Sequence, residues 1–286
     1  MTRPFPPVPP VPLAEQRGET FPRLVELMQR LLAADGCPWD REQTFESLRK
    51  YCVEEAHEVV DAIDSGDRAH IREELGDLLL QVVFQSELGR KEGVFGPDDV
   101  VKGIIDKIVR RHPHVFGDAK VEGAREVLAN WEQIKQGEKE GRGLLDGVPK
   151  SMPALLRAQR VGEKVEKVGF DWPTVEGSRT KVGEELGELD DAIADGNRDR
   201  MQEELGDVLF ALVNLARHLD IDAEAALRGT TDKFMRRFSH VERRVKEKYG
   251  AWPADADGRA GKGVSLEEMD GYWEEAKSLA KPSDVK

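Results

Sequence analysis

Two stretches of this chain carry the same arrangement of carboxylates. Glu54, Glu55 and Glu58 are followed by Glu74 and Asp77. Glu184, Glu185 and Glu188 are followed by Glu204 and Asp207, each displaced from its counterpart by one constant offset. Residues three and four apart on a helix share a face. Glu185 and Glu188 therefore point one way, and Glu204 and Asp207 do the same on the helix that follows. A short turn runs those helices antiparallel and lets both pairs converge. Carboxylates offer oxygen ligands only, which suits Mg²⁺, with Mn²⁺ as the alternative, over zinc or iron. Left bare they repel one another, so a cation is physically expected among them. A hard cation held this way points to phosphate chemistry.

A single Glu-Glu-x-x-Glu on a Glu-rich helix is most often a solvated face. The doubling, followed each time by Glu-Leu-Gly-Asp and an apolar run, sets these stretches apart. Gly76 and Gly206 inside them cost about 1 kcal/mol relative to Ala in a helix interior, and close approach of a neighbouring helix or a ligand is the expected reason. A di-iron carboxylate bundle needs two Glu-x-x-His pairs. Glu54-x-x-His57 matches, but its counterpart Glu184-x-x-Gly187 has no imidazole. His112 and His114, flanking Pro113, read as structural or solvent-facing.

Basic and aromatic residues repeat as well. Lys233 and Arg237 lie one helical turn apart, with Arg236 beside them, and Lys107 and Arg111 repeat the spacing; Trp273 and Lys277 correspond to Trp131 and Lys135. Arg binds phosphate bidentately and Lys acts as a point charge. These residues read as phosphate contacts or as a solvated stripe, and Trp273 as a stacking platform for a base or as core filler. Lys181 precedes Glu185 by one turn, where the first copy has Tyr51. That difference makes the second copy the expected working site. No Walker, GxGxxG, GxSxG or CxxC motif is present, which removes the P-loop, Rossmann, serine-hydrolase and thioredoxin readings.

The elements that must position these residues are helices. Apolar periodicity and stop signals place them at about 20–34, 45–63, 69–88, 97–112, 124–139, 153–168, 180–194, 200–219 and 223–248, with a capping box at Ser265-x-x-Glu268 opening the last. No convincing period-two strand occurs. The expected fold class is all-α: two tandem helical units forming four-helix-bundle-type domains, with no significant β-sheet. The expected division is a Pro-rich disordered lead at 1–18, an N-terminal unit at 19–140, a Gly/Pro-rich linker at 141–152 and a C-terminal unit at 153–281. Such a repeat is too long for a stacked solenoid.

Bulk properties narrow the partners. The 286 residues carry Lys+Arg 43 against Asp+Glu 56, a net charge of −13, which argues against stable nucleic-acid binding or attraction to anionic membranes. No apolar run is long enough to span a bilayer, and the N-terminus has no signal-peptide core. Cys37 and Cys52 form no zinc spacing or disulfide framework, which fits a reducing cytoplasm.

Further segments add a family resemblance: Cys37-Pro-Trp-Asp40, Arg110-Arg-His-Pro-His-Val-Phe116, Trp131-Glu-Gln-Ile-Lys135, Pro153-Ala-Leu-Leu-Arg-Ala-Gln159, Val168-Gly-Phe-Asp-Trp172 and Asn214-Leu-Ala-Arg-His218. Together with the acidic motif, in order over 21–279, they resemble the all-α nucleoside triphosphate pyrophosphohydrolases of the MazG type, in their two-domain bacterial form. The resemblance implies Mg²⁺-dependent hydrolysis of nucleoside triphosphates, ATP among them, to monophosphate and pyrophosphate. It also implies units that pair to complete a bundle, commonly as a homodimer. By matching position it assigns Glu185, Glu188, Glu204 and Asp207 to the metal. Lys181, Glu184, Glu203, Lys233, Arg236, Arg237, Trp273 and Lys277 fall to the substrate, and Glu184, Glu185 and Glu204 to catalysis. A second site would use Glu55, Glu58, Glu74 and Asp77 with Lys107, Arg111 and Trp131. The expected reaction is attack on the α-phosphorus by water activated by the cation, with Glu184 as base and Lys233 and Arg237 steadying the pyrophosphate. Two alternatives stay open: a narrower all-α pyrophosphatase for dUTP, dCTP or a phosphoribosyl nucleotide, and a non-catalytic helical protein that binds Mg²⁺, nucleotide and a partner.

Overall fold

The computed structural model describes residues 20–137, 143–254 and 263–279. The Pro-rich lead lies outside them, as do residues 255–262 of the segment before the last helix. All regular elements among the described residues are helices, and the chain divides into two compact units at 140/141. Unit 1 holds α1 (Phe21–Leu32), α2 (Pro38–Glu42), α3 (Phe45–Ser65), α4 (Arg68–Lys91), α5 (Pro97–Arg111), α6 (Pro113–Phe116) and α7 (Ala124–Gly137). Unit 2 holds α8 (Ala154–Glu166), α9 (Val175–Asp195), α10 (Arg198–His218), α11 (Ala223–Tyr249) and α12 (Leu266–Leu279).

Two details differ from the periodicity reading. α2 and α6 are too short to show a period, and each opens on a proline, whose fixed φ suits a first turn. α9 starts at Val175 rather than near Thr180, because Gly177 and Ser178 dilute the apolar pattern of its first turn. Part of the expected linker is ordered: the Lys164 ammonium donates to the carbonyls of Leu144 and Asp146.

The α3–α4 and α9–α10 hairpins carry the repeated carboxylates. Each first helix ends on a left-handed glycine, Gly66 (φ 74°) or Gly196 (φ 65°), a conformation that costs a Cβ-free residue nothing. A side-chain cap then opens the next helix at once. Asp67 accepts from the Ala69 and His70 amides, and Asn197 from the Arg200 amide. The tight turn makes the helices antiparallel and faces one acidic pair toward the other.

Unit 1 packs Met28, Leu48, Val83, Phe84 and Leu88 into a core lined by Tyr51 and Leu80. In unit 2, α11 and α12 close over Val241, Val245 and Val264, against which Trp252, Met269, Tyr272 and Trp273 pack. The other side of each hairpin is bare. Ile63, Leu75, Leu79 and Val82, and at the same positions of the second copy Ile193, Leu205, Leu209 and Leu212, are all at least 40% exposed. A Cβ added at Gly76 or Gly206 would meet nothing within 4 Å. The close neighbour expected at those glycines is thus absent among the described residues.

Candidate functional site

α9 and α10 bring Glu185, Glu188 and Glu204 together, with one carboxylate oxygen of each within 4.8 Å of the others; α3 and α4 do the same with Glu55, Glu58 and Glu74. Asp207 and Asp77 stand just outside these triads. Asp207 instead lines a cavity beside Glu185, and Asp77 acts on Glu55 through its charge. Crowding shows in proton affinity. Burial, then the charges of Glu185 and Glu204, push the Glu188 carboxyl up. Burial, then Asp77 and Glu58, do the same to Glu55. Oxygens this close, which strengthen the hold of Glu188 and Glu55 on a proton, fit a hard divalent cation that would relieve the same repulsion.

Nitrogen-bearing side chains flank both clusters. Lys181 Nζ lies 2.8 Å from Glu184 and 2.7 Å from Glu185, and hydrogen bonds to Glu184 and then Glu185 hold its ammonium well above the ordinary lysine range. Arg200 reaches Glu204 at 3.4 Å, and His70 takes the corresponding place on Glu74 at 2.9 Å.

The raised Glu188 carboxyl fixes a sign. Its stabilising contribution is present below the ordinary carboxylate range and is lost as pH rises through the raised value. Protons and cation compete for the same oxygens. Mg²⁺ is therefore expected to raise the melting temperature more at neutral than at mildly acidic pH. Differential scanning fluorimetry at both checks this, and an equal shift would contradict it.

A cavity of about 460 Å³ adjoins the unit 2 triad. Its polar end is Lys181, Glu185 and Asp207, and its apolar walls include Val165, Phe170, Trp172 and Phe210. The loop carrying Phe170 and Trp172 is clamped through Asp171. Arg217 donates to Asp171 at 2.5 Å and to Glu166 at 2.9 Å, and His218 Nε2 lies 3.1 Å from the same Asp171 oxygen. Burial works to raise Asp171, but hydrogen bonds from Arg217 and the Trp172 backbone, with the Arg217 charge and His218, hold it below the usual carboxylate range. Two glycines make this approach possible. A Cβ at Gly162 would lie 3.1 Å from Arg217 Nε, and one at Gly177 would lie 3.1 Å from Trp172 Cβ.

The remaining sequence-derived candidates lie elsewhere. Glu184 is more than half exposed and bonded to Lys181. Glu203 is exposed on α10, and Lys233 and Arg236 on α11. Trp273 packs in the α11–α12 cluster, its ring 4.9 Å from Phe234 and 5.7 Å from the Arg237 guanidinium. Lys277 pairs with Glu274. None of these lines the cavity. In unit 1, Lys107 is exposed and Arg111 half-buried on α5, and Trp131 lies 6.0 Å from the His112 ring; the Lys135 side chain is outside the described residues. The sequence reading assigned no role to Phe170, Trp172, Phe210 or the Asp171–Arg217 clamp. Phe170, Asp171, Trp172 and Arg217 had as their only signal membership of the segments Val168–Trp172 and Asn214–His218, and Phe210 lay in the apolar run after Glu-Leu-Gly-Asp.

Comparison with known proteins bears on this geometry. The MazG nucleotide pyrophosphohydrolase domain matches twice, at 43–116 and 174–242, each time spanning one acidic hairpin. The nucleoside triphosphate pyrophosphohydrolase of Escherichia coli (strain K12) is 46% identical over 263 residues, 89% of this chain and 96% of that protein. The nucleoside triphosphate pyrophosphohydrolase/pyrophosphatase MazG of Thermotoga maritima is 40% identical over 265 residues, 92% of this chain and 98% of that protein. The uncharacterized protein YabN of Bacillus subtilis is 45% identical over 279 residues, 96% of this chain and 55% of that protein. With both hairpins matched and relatives aligned along nearly its whole length, the chain belongs to the MazG family of nucleotide pyrophosphohydrolases and is an enzyme of that class.

Proposed function

We propose that unit 2 hydrolyses nucleoside triphosphates to nucleoside monophosphate and pyrophosphate. The observation that supports this most is the junction of an acidic triad with an apolar slot through the shared residue Glu185. A cavity of this size with a few convergent polar groups suits a nucleotide-sized ligand. Phe170, Trp172 and Phe210 would take the base, and the triphosphate would extend past Lys181 toward the carboxylates.

Glu185, Glu188, Glu204 and Asp207 would hold Mg²⁺ or Mn²⁺. A divalent cation there supplies charge neutralisation on the phosphoryl oxygens and makes a neighbouring water more acidic. Lys181 exchanges its Glu184 and Glu185 partners for phosphate oxygens, and this frees Glu184, on the rim, to accept the proton of a water attacking the α-phosphorus. The Arg217–Asp171 clamp keeps the base walls in place. Lys233, Arg236, Arg237 and Lys277 act on the departing pyrophosphate from α11 and α12, and Glu203, exposed on α10, contacts the substrate away from its phosphates. Because none of them reaches the cavity of its own unit, this contribution is assigned to an assembled form.

That form is a homodimer. The bare stripe on each hairpin, with Gly206 one helical turn from Leu209, has the shape of half a four-helix bundle, and exposed apolar patches of this extent mark interfaces. Leu205→Glu with Leu209→Glu is expected to give a monomer by light scattering, and an unchanged dimer would sink the assembly. The unit boundaries near 140 and 153 are proposed as domain boundaries, and the cytoplasm as the compartment, since Cys37 and Cys52 are free thiols. No helix of the described residues is long and apolar enough to cross a membrane.

The reaction is tested by incubating the protein with Mg²⁺ and a panel of ribo- and deoxynucleoside triphosphates and separating the products. Monophosphate and pyrophosphate are expected; diphosphate and orthophosphate as first products would overturn the proposal.

A further inference from the structure

Asn214 lines the unit 2 cavity together with Phe170, Trp172 and Phe210. Its Oδ1 accepts two hydrogen bonds from one guanidinium, 3.1 Å from Arg217 Nε and 2.8 Å from Arg217 Nη2. Guanidinium nitrogens only donate, so the amide cannot turn over without setting its NH2 against Arg217. Arg217 is held in turn. Its side chain is 9% exposed, and it also donates to Glu166 and Asp171. The Asn214 oxygen is therefore committed to Arg217. The NH2, which has no hydrogen-bond partner among the described residues, is what the amide offers the slot.

The first copy shows that helix packing does not require an amide here. Phe84, Glu87 and Leu88 stand where unit 2 has Asn214, Arg217 and His218. Phe84 and Leu88 are buried in the unit 1 core, so an aromatic ring fills the same position when no cavity adjoins it. Unit 2 instead carries a polar group of fixed orientation beside open space.

A fixed donor distinguishes bases by their exocyclic group. O4 of uracil and thymine, and O6 of guanine and hypoxanthine, accept from it. Cytosine and adenine carry amino groups at those positions and set N–H against N–H. An amide free to turn would serve both classes, because it holds a donor and an acceptor. A donor that the base shields from water and leaves unmatched costs more than a matched one gains.

We propose that Asn214 selects the base: its NH2 donates to the exocyclic carbonyl of a keto base, and Arg217 is the positioning residue that keeps the amide in that orientation. The substrates taken first are triphosphates of uracil, thymine, guanine and hypoxanthine, ahead of those of cytosine and adenine. This rests on the reading that the slot of unit 2 takes the base.

The test compares two pairs that differ along one base edge, UTP with CTP and ITP with ATP, on the full chain. Pyrophosphate release is expected to give kcat/KM values favouring UTP and ITP by roughly tenfold or more. Asn214→Asp keeps one oxygen for Arg217 and turns a second toward the slot, so both ratios should invert in favour of CTP and ATP. Asn214→Leu, of similar volume and without hydrogen bonds, should bring both ratios near one. A purely structural role would lower all four substrates alike. Melting temperatures confirm that the variants fold, and the wild-type ratios decide without them. Dissociation constants of the α,β-methylene analogues of the four nucleotides give the same ratios without turnover. The proposal is overturned if the wild type treats both members of each pair alike, or if the folded Asp variant keeps the wild-type preference. Failure of the hydrolysis reading shows separately, as a wild type that releases no pyrophosphate from any of the four while the analogues still bind in the expected ratios.

Discussion

Glu204→Gln is expected to lower pyrophosphate release by about a hundredfold or more, while Glu74→Gln, its counterpart in unit 1, leaves most of the activity. Substitution of groups that merely orient a metal's ligands already costs about 10–100-fold, and Glu204 is a member of the triad itself. It also anchors Arg200, so Gln, which keeps shape and hydrogen bonding while removing charge, is the clean substitution. The asymmetry between units follows from Lys181 and the cavity, both confined to unit 2. Steady-state pyrophosphate release measures the two variants side by side. Equal losses would place chemistry at both units, and loss only in Glu74→Gln would invert the assignment.

Ser178→Leu combined with Ala211→Leu should raise KM for nucleoside triphosphates roughly ten- to hundredfold, the equivalent of the ~1–3 kcal/mol of one base–aromatic stack, with kcat changed far less. Both residues are buried and line the cavity, and unit 1 has Leu48 and Gln81 at the same positions. The exchange therefore fills the slot as unit 1 does. Loss of binding energy shared by ground and transition states appears in KM. Added bulk enters empty space, so the melting temperature should hold or rise. A fall in kcat at unchanged KM would mean that the slot does not bind the base.

The contrast between the units also explains what the sequence could carry. Carboxylates at helical spacing, a turn glycine such as Gly196 and a cap such as Asn197 are local signals, so the α9–α10 hairpin and its converging acids were legible. The cavity was not, because it is made by what is missing. Gly162, Gly177, Ser178 and Ala211 are inconspicuous one by one, and only their packing shows that they leave space and let Arg217 and Trp172 approach. The Asp171–Arg217 pair joins a loop to the end of α10, a contact that no periodicity announces. Trp273 had two readings from sequence, and the structure sets it among Phe234, Arg237 and the α11–α12 valines. The face shared by Leu205 and Leu209 looked like an ordinary core stripe. Only the structure shows that this face is exposed.

Water attack on the α-phosphorus at unit 2 can be read from one turnover of ATP in isotopically labelled water, with the products followed by phosphorus NMR. Label in the nucleoside monophosphate alone, with unlabelled pyrophosphate, is expected. Label in pyrophosphate, or the appearance of ADP, would contradict it.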